Sequence, residues 1–249
     1  MANLSSISKT DLSNISQGEL GYYDELHPFG YNGGTFPEDV VINAIDNSVP
    51  LTLDLAIPGE CLNSCIFCGY YNVNSAGKLR QSEILHIIDQ FVILGGKSIK
   101  ILGEGEPLLR KDTILLLESI SDQGLIPVLF TCGDVIGNDE LSIKIHRIAG
   151  HELANILYEI GCTVVLKFES AEQDDIVQRE GFSDSRNKAL QILLEIGFNQ
   201  HFPSRLGFGT VLLRHNYSEI PRIYKYALEN NIYPLICPLL PIGKTKEKQ

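Results

Sequence analysis

The chain has 249 residues, of which 44% are hydrophobic, and it carries a formal net charge of −11 at pH 7 with a sequence pI near 5.0. This size suits one large domain, and the acidic charge argues against broad binding to nucleic acid or to an anionic membrane. No apolar run approaches the roughly 18 residues of a membrane span, no signal peptide opens the chain, and the six cysteines do not form a disulfide framework, so we expect a cytoplasmic protein.

Residues 1–50 are expected to form a lead-in that is partly mobile and packs on the main domain. Positions 1–20 are rich in Ser and Asn, a composition typical of mobile termini. Positions 21–37 mix glycines with aromatic side chains, namely Tyr22, Tyr23, Phe29, Tyr31 and Phe36. Aromatic side chains need a surface to pack on, so this stretch either plugs one end of a barrel, which we favour, or helps to line a substrate cleft. Positions 38–46 favour a short helix.

From residue 51 the chain repeats a unit in which a short β-rich run alternates with an apolar-periodic helix that ends at glycine. The predicted strands lie near 51–57, 98–102, 125–131, 162–168, 205–213 and 233–239. The predicted helices span 81–94, 111–123, 146–160, 185–196 and 218–230. Alternating strands and helices imply a parallel sheet with right-handed crossovers. The sequence therefore predicts an α/β fold, a partial (β/α)6 TIM barrel with outer helices.

The predicted barrel domain spans residues 51–244, and residues 245–249 form a short charged tail. Either the protein consists of this core alone, or the sequence is cut from a longer chain at this tail. In parallel barrels the chemistry is located at the C-terminal ends of the strands. The loops that follow each strand are therefore where functional residues are expected.

Three cysteines follow the first predicted strand at the spacing C-x3-C-x2-C, namely Cys61, Cys65 and Cys68. Three thiolates on one short loop can hold three corners of a cubic iron–sulfur cluster and leave the fourth iron open for a ligand. A zinc site would need a fourth ligand and usually shows paired C-x2-C motifs, and a disulfide would leave an odd cysteine. A chance grouping of three cysteines is the remaining alternative.

This spacing, with Phe67 directly before the last cysteine, resembles the radical S-adenosylmethionine (radical SAM) superfamily. The chain is similar to the cores of the superfamily's peptide-modifying and molybdenum-cofactor-type members, and the resemblance extends over about residues 51–244. The resemblance implies that the three cysteines bind a [4Fe–4S] cluster. It also implies that the open iron is chelated by the amino and carboxylate groups of SAM, with Phe67 near the adenine.

The loop after the second predicted strand reads Gly103-Glu104-Gly105-Glu106-Pro107. It resembles the superfamily's G-G-E-P stretch, which binds the SAM ammonium through backbone oxygens and through a glutamate whose place Glu106 takes here. Glu104 stands in the position of the first paired glycine, so the variant G-x-G-E-P is the better match. The alternative is an acidic turn before a helix, where a glutamate favours the helix dipole.

Further candidates follow the third and fourth predicted strands. Cys132 lies where the family often has T-N-G, and it is the one candidate for a catalytic residue, unless it is simply a small buried hydrophobe. Lys167 and Glu169 lie where the family commonly has S-x-D in contact with SAM, and Lys167 needs either Glu169 or the SAM carboxylate as a partner. Arg179 resembles the family arginine that pairs with that carboxylate, unless it is a solvated surface charge.

The resemblance implies a radical mechanism. An external low-potential donor such as flavodoxin or ferredoxin reduces the cluster, and SAM is cleaved to methionine and a 5′-deoxyadenosyl radical. That radical abstracts hydrogen from a small-molecule or peptide substrate in a biosynthetic or modification pathway. We expect neither a membrane nor a nucleic-acid partner.

Two alternatives stay open. One is a radical SAM methylase acting on RNA, prompted by the G-x-G-E-P variant, against which the acidic charge counts. The other is an iron–sulfur redox or sensor module without radical chemistry. The G-x-G-E-P turn counts against that module, because an electron carrier needs no such turn and normally supplies four protein ligands.

Overall fold

The structure is a computed structural model that describes residues 30–70 and 79–248. The expected mobility of positions 1–20 concerns residues outside these ranges, as do three of the aromatic residues of the lead-in, namely Tyr22, Tyr23 and Phe29. None of the helices in the described ranges is long and apolar enough to cross a membrane.

Six parallel strands form one sheet in which the spatial order follows the sequence. The strands are β1 (Thr52–Ile57), β2 (Ser98–Gly103), β3 (Ile126–Thr131), β4 (Thr163–Lys167), β5 (Leu206–Leu212) and β6 (Tyr233–Pro238). The first residues of β1 and β2 are register partners, Thr52 opposite Ser98, whereas β4 begins with Thr163 opposite Val128, the third residue of β3. The sheet curls into a half-barrel with the helices around it, which confirms the predicted partial (β/α)6 barrel and its six strands.

Helices surround the sheet; the first precedes β1 and the others connect successive strands. They are α1 (Glu38–Asp46), α2 (Gln81–Ile93), α3 (Thr113–Asp122), α4 (Asp134–Gly137), α5 (Asp139–His146), α6 (Gly150–Glu159), α7 (Asp174–Val177), α8 (Phe182–Ile196) and α9 (Ile220–Glu229). Short 3₁₀ turns follow β2 at Pro107–Leu109, α8 at Phe198–Gln200 and β6 at Gly243–Lys248.

One predicted helix is wrong in its bounds. Of the predicted helix 146–160, only Gly150–Glu159 forms α6, and His146 is the last residue of α5, which ends where Arg147 adopts a left-handed conformation (φ 68°). Gly150 then starts α6 against α4, where an added Cβ would lie 1.9 Å from the Ile136 carbonyl oxygen. Apolar periodicity continues through the break, so the pattern alone cannot reveal it.

The two faces of the sheet differ in polarity. Residues such as Ile99 and Ile101 are fully buried and pack against the outer helices. Side chains alternate along a strand, so Ser98 and Lys100 point to the inner face. There Lys100 Nζ forms an ion pair with Oδ1 of Asp54, its register partner on β1, at 3.2 Å. The inner face of this half-barrel therefore carries charge, unlike the apolar interior of a closed barrel.

The end of the lead-in enters the half-barrel at the N-terminal ends of its strands. Tyr31 is 5% exposed, packs with Val128 and Val165, and its ring centroid lies 5.1 Å from that of Tyr233. Ser98 Oγ donates to the Gly33 carbonyl at 2.6 Å. Residues that precede the first strand thus cover the inner face of the sheet near the N-terminal ends of its strands.

Candidate functional site

The three cysteines of the predicted cluster motif lie on the loop after β1, at the C-terminal mouth of the half-barrel. Cys61 is exposed, Cys68 is half-buried and Cys65 is 8% exposed. All three are free thiols. Burial raises the pKa of the Cys61 and Cys65 thiols above the ordinary value. A thiol that binds a metal loses its proton.

The segment that contains α7 holds this cysteine loop on one side. The backbone amide of Ser64 donates to the Val177 carbonyl at 2.9 Å, and that of Ile66 donates to the Ile176 carbonyl at 2.9 Å. The α7 segment is itself fixed, because the Asp174 carboxylate accepts from the Ser183 amide at 2.7 Å. The cysteine loop is thus held by backbone hydrogen bonds to the α7 segment.

Phe67 joins the cysteine loop to the end of β4. Its ring packs on the buried cluster of Cys65, Cys132, Val177 and Phe182. The Lys167 ammonium lies 4.0 Å from the ring centroid, within the range of a cation–π contact. The structure therefore brings the predicted residues Phe67 and Lys167 together beside Cys65.

The Gly103–Pro107 loop packs directly on the segment that leads to the cysteines. A Cβ added to Gly105 would lie 2.4 Å from the Glu60 carbonyl oxygen, and one added to Gly103 would lie 2.2 Å from the Gly105 carbonyl oxygen. The Glu106 amide donates to that Glu60 oxygen at 2.8 Å. Both glycines are required by close backbone contact. Glu104 is half-buried, and its amide donates to the Ile57 carbonyl at 3.2 Å.

The Glu106 carboxylate is buried and bonded to protein donors. Its Oε1 accepts from Thr131 Oγ1 at 2.6 Å and from the Leu108 amide at 3.1 Å, while Oε2 accepts from the Cys132 amide at 2.7 Å. Burial raises the pKa of Glu106 above its usual value, against the opposing effect of these donors. The side chain therefore ties the end of β2 to the end of β3, a role beyond the predicted contact with SAM.

The sequence left two possible partners for Lys167, namely Glu169 and the SAM carboxylate. In the structure Lys167 forms an ion pair with Glu169. Lys167 Nζ lies 3.1 Å from Glu169 Oε1, and the Glu169 side chain is 1% exposed. Burial lowers the pKa of Lys167, but Glu169 and the nearby Cys65 thiol outweigh that effect and raise it. Gln173 Nε2 donates to Glu169 Oε2 at 3.0 Å and so fixes the carboxylate from the other side.

A buried arginine supports this pair from behind. Arg186 of α8 is fully buried; it donates to Gln173 Oε1 at 2.7 Å and to the Ser170 carbonyl at 2.9 Å, and it stacks on Phe168 at 3.9 Å. Burial lowers its pKa to about 10. The sequence analysis missed Gln173 and Arg186. The available signal was a charged residue on the apolar stripe of α8, four residues after Phe182.

Arg179 is partly buried and is paired within the protein. Its Nη1 lies 2.7 Å from Oδ2 of Asp134, a 5% exposed residue that the sequence analysis did not single out. Burial lowers the pKa of Arg179, and the hydrogen bond to Asp134 more than reverses the effect. The side chain joins the segment after α7 to the segment after β3.

Cys132 is buried in the apolar cluster beside Cys65, with 7% of its surface exposed. Burial raises the pKa of its thiol well above the ordinary value, and the neighbouring Glu106 carboxylate adds to the effect. A thiol kept protonated is a poor nucleophile. This environment favours the alternative of a small buried hydrophobe over that of a reactive thiol.

The cysteine loop supplies thiol donors of the kind that an iron–sulfur cluster takes. Across the described residues, no three His, Cys, Asp or Glu side chains are grouped closely enough to hold one ion. A cube spaces its thiolates more widely than one ion spaces its ligands, and the cysteine loop offers three free thiols beside glycines that allow close backbone approach.

The sequence also matches known proteins. A model of the radical SAM superfamily matches residues 56–227. The probable GTP 3′,8-cyclase of Sulfurisphaera tokodaii is 24% identical over 196 residues, which are 78% of this chain and 58% of that protein. The GTP 3′,8-cyclase of Desulforamulus reducens is 26% identical over 205 residues, which are 77% of this chain and 56% of that protein.

A solved structure shows the same fold. Streptococcus suis SuiB bound to S-adenosylmethionine superimposes with a TM-score of 0.57 at 18% identity, covering 90% of this chain and 51% of SuiB. The chain thus spans little more than half the length of the proteins it matches. The superfamily match takes in more than half of the chain. The chain belongs to the radical SAM superfamily, whose members are enzymes that bind a [4Fe–4S] cluster and S-adenosylmethionine.

Proposed function

We propose that this chain holds the cluster through Cys61, Cys65 and Cys68 and abstracts hydrogen from a small-molecule or peptide substrate. The observation that carries the proposal is a loop of three free thiols, fixed by backbone hydrogen bonds beside the Gly103–Pro107 loop at the barrel mouth. When bound, the cluster and SAM supply the reductive cleavage that forms a 5′-deoxyadenosyl radical.

The residues around the cysteine loop orient SAM and exclude water. The glycines at 103 and 105 bring backbone carbonyls close to the cysteine loop, where they accept from the SAM ammonium. Pro107 and Leu108 are buried beneath this loop and keep it rigid. The carboxylate of Glu106 fixes the loop to the end of β3. Its second role in this proposal is contact with the SAM ammonium.

Charged groups at the ends of β3 and β4 complete the predicted SAM site. Lys167 and Glu169 present an ammonium and a carboxylate beside Phe67, opposite in sign to the SAM carboxylate and ammonium. Arg179 offers a second cation, although Asp134 already accepts one of its hydrogen bonds. We assign binding of the SAM carboxylate to these two cations, each of which is already paired with one carboxylate of the protein.

The inner face of the sheet supports a substrate without a large net charge. Each of the two lysines that point inward from the described strands, Lys100 and Lys167, is paired with a carboxylate. A polyphosphate needs cations that are free to bind it. A small molecule or a peptide segment of balanced charge suits this lining better.

The names of the curated relatives favour GTP as a second candidate substrate. Under this alternative the polyphosphate would need cations from outside the inner face of the sheet. Adding GTP to the reconstituted protein separates the two possibilities. A GTP-dependent product that contains the nucleotide would favour the second candidate, whereas SAM cleavage that is unaffected by GTP would favour the first.

The proposal is tested by anaerobic reconstitution with iron and sulfide, reduction with dithionite, addition of SAM and measurement of 5′-deoxyadenosine. The wild-type chain should bind iron and form the product, and the triple variant Cys61→Ala/Cys65→Ala/Cys68→Ala should do neither. Cys237→Ala, which removes an exposed cysteine from β6, should keep the iron. A cluster-loaded wild-type protein that forms no 5′-deoxyadenosine would favour the redox or sensor module instead.

Radical SAM enzymes act on a substrate and need a reductant. We propose an external low-potential donor such as flavodoxin or ferredoxin and a reducing, cytoplasmic compartment. All six cysteines are free thiols, as a reducing compartment requires.

A further inference from the structure

The segment after β6 forms a compact turn, here called the closing turn, that consists of Ile242–Thr245. Thr245 Oγ1 donates to the Leu240 carbonyl at 2.8 Å and to the Ile242 carbonyl at 2.9 Å. Strands β1 and β6 are the two edges of the sheet and are not paired with each other. The closing turn therefore lies where a complete barrel would be joined, next to the cysteine loop that follows β1.

One residue of the closing turn binds the cysteine loop at two points. The Lys244 amide donates to the Cys68 carbonyl at 3.1 Å. The Lys244 ammonium donates to the Ser64 carbonyl and to Ser64 Oγ, both at 2.6 Å. These contacts lie on either side of Cys65. Hydrogen bonds from an ammonium are stronger than those between neutral groups, so this contact is well suited to restrain a loop.

Gly243 allows the closing turn to approach the cysteine loop closely. Its φ is 59°, and an added Cβ would lie 2.2 Å from the Cys68 carbonyl oxygen and 2.7 Å from that of Gly69. Both obstacles are backbone atoms, which cannot rotate away as the end of a side chain can. A larger residue here must move either the closing turn or the cysteine loop, and Cys68 is at the point of contact.

We propose that Gly243 and Lys244 are positioning residues that fix the cysteine loop, and through it the Cys68 thiolate, for binding of the cluster. The inference rests on the proposed function and extends it to the end of the barrel domain. The α7 segment holds the cysteine loop from one side and the closing turn holds it from the other. Without the second support, the loop can move and release a ligand to the cluster.

The test compares Gly243→Ala, Lys244→Met and Lys244→Arg with the wild-type chain after anaerobic reconstitution. Lys225→Met serves as the matched control, since it removes a lysine of α9 whose ion pair with Glu229 is long, at 4.0 Å. The measurements are iron and sulfide per chain, the rate of cluster loss to a chelator, the EPR spectrum of the reduced cluster, and hydrogen exchange of residues 61–69 in the cluster-free protein.

Gly243→Ala and Lys244→Met should lose the cluster about fivefold faster or more, the factor that corresponds to one broken hydrogen bond of ordinary strength. Their EPR spectra should change and amide exchange of residues 61–69 should become faster. Lys244→Arg should recover most of the retention, because a guanidinium also donates to the Ser64 oxygens. Lys225→Met should match the wild-type chain in every measurement.

Retention, spectra and exchange that are unchanged in both Gly243→Ala and Lys244→Met would overturn the inference. If Gly243→Ala does not fold, as judged by its thermal unfolding, Lys244→Met decides alone. If the wild-type chain and the variants bind the cluster and cleave SAM equally well, only this inference is contradicted. A wild-type chain that binds no cluster contradicts both this inference and the proposed function.

Discussion

Glu169 is the residue on which the charge arrangement at the end of β4 depends. It is 1% exposed, lies 3.1 Å from Lys167 Nζ, and accepts from Gln173 at 3.0 Å. Arg186 holds that glutamine in turn. Removing one partner of a buried pair leaves an uncompensated charge, which is more costly than replacing both partners by neutral groups.

Glu169→Gln should therefore lower the free energy of unfolding by about 3 kcal/mol, because it leaves the Lys167 ammonium without its carboxylate. Urea unfolding of the cluster-free protein measures the effect. The double variant Lys167→Met/Glu169→Gln should recover part of the loss, since it removes both charges. Equal stability of the single variant and the wild-type chain would show that solvent, which reaches 19% of the Lys167 side chain, already screens the charge.

Replacing the single sulfur atom of Cys132 tests whether this side chain has a packing role or a chemical one. Its backbone amide donates to Glu106, and that hydrogen bond does not depend on the side chain. Cys132→Ser should keep the full iron content and the rate of 5′-deoxyadenosine formation, with a loss of stability of about 1 kcal/mol. Loss of iron or of product in a folded variant would instead identify the thiol as a ligand or a reactive group.

At the scale of elements, α5 supports the 3₁₀ turn that follows the Gly103–Pro107 loop. His146, the last residue of α5, has its Nε2 2.7 Å from the carbonyl oxygen of Leu108, within the 3₁₀ turn that follows Glu106. Burial lowers the pKa of His146, and this hydrogen bond opposes the shift only in part. The folded protein therefore binds a proton at this site less readily than the unfolded chain does.

The consequence for stability has a definite sign. Above the unfolded histidine pKa of about 6.5, both states are neutral at this site and its contribution to stability is fully present. As the pH falls below that value, the unfolded chain takes up the proton first, and stability decreases until the lower pKa of the folded state is passed. His146→Asn should show a shallower loss between about pH 6.5 and pH 5 in urea unfolding. Parallel curves for the two proteins would contradict this account.

The elements that the sequence predicted well are those whose local pattern and tertiary role agree. The six strands of a buried parallel sheet are short apolar runs, and each lies where the pattern indicates. The predicted helix 146–160 begins too early for a tertiary reason, because α6 starts at Gly150, which packs closely on Ile136. Gln173, Arg186 and Asp134 were missed because their role is set by partners distant in sequence.

At the scale of the whole molecule, the site is assembled across the half-barrel. The cysteine loop follows β1, Glu106 follows β2, Cys132 follows β3 and the Lys167–Glu169 pair ends β4. The family motifs predicted these positions, since parallel strands place their C-terminal ends together. What the motifs could not predict is the pairing within the site, where the partner of Arg179 is Asp134 and that of Lys244 is the cysteine loop.

Tyr31 connects the lead-in to the half-barrel and allows a test of whether the two unfold together. Its ring contacts Val128 of β3 and Val165 of β4 and lies 5.1 Å from the ring of Tyr233 on β6. Burial, with a smaller effect of Asp54, raises the pKa of its phenol to about 12, so the side chain is neutral in the folded protein. A buried neutral ring that contacts three strands should stabilise the barrel as a core residue does.

Tyr31→Ala should lower the free energy of unfolding by about 3–5 kcal/mol, the usual loss when a buried aromatic ring is removed. Tyr31→Phe is the matched control and should cost about 1 kcal/mol or less, because the ring rather than the hydroxyl makes the contacts with the valines. Urea unfolding followed by circular dichroism measures both variants. If Tyr31→Ala unfolds at the same urea concentration as the wild-type chain, the lead-in is not part of the cooperative unit, and the half-barrel is stable without the Tyr31 ring on its inner face.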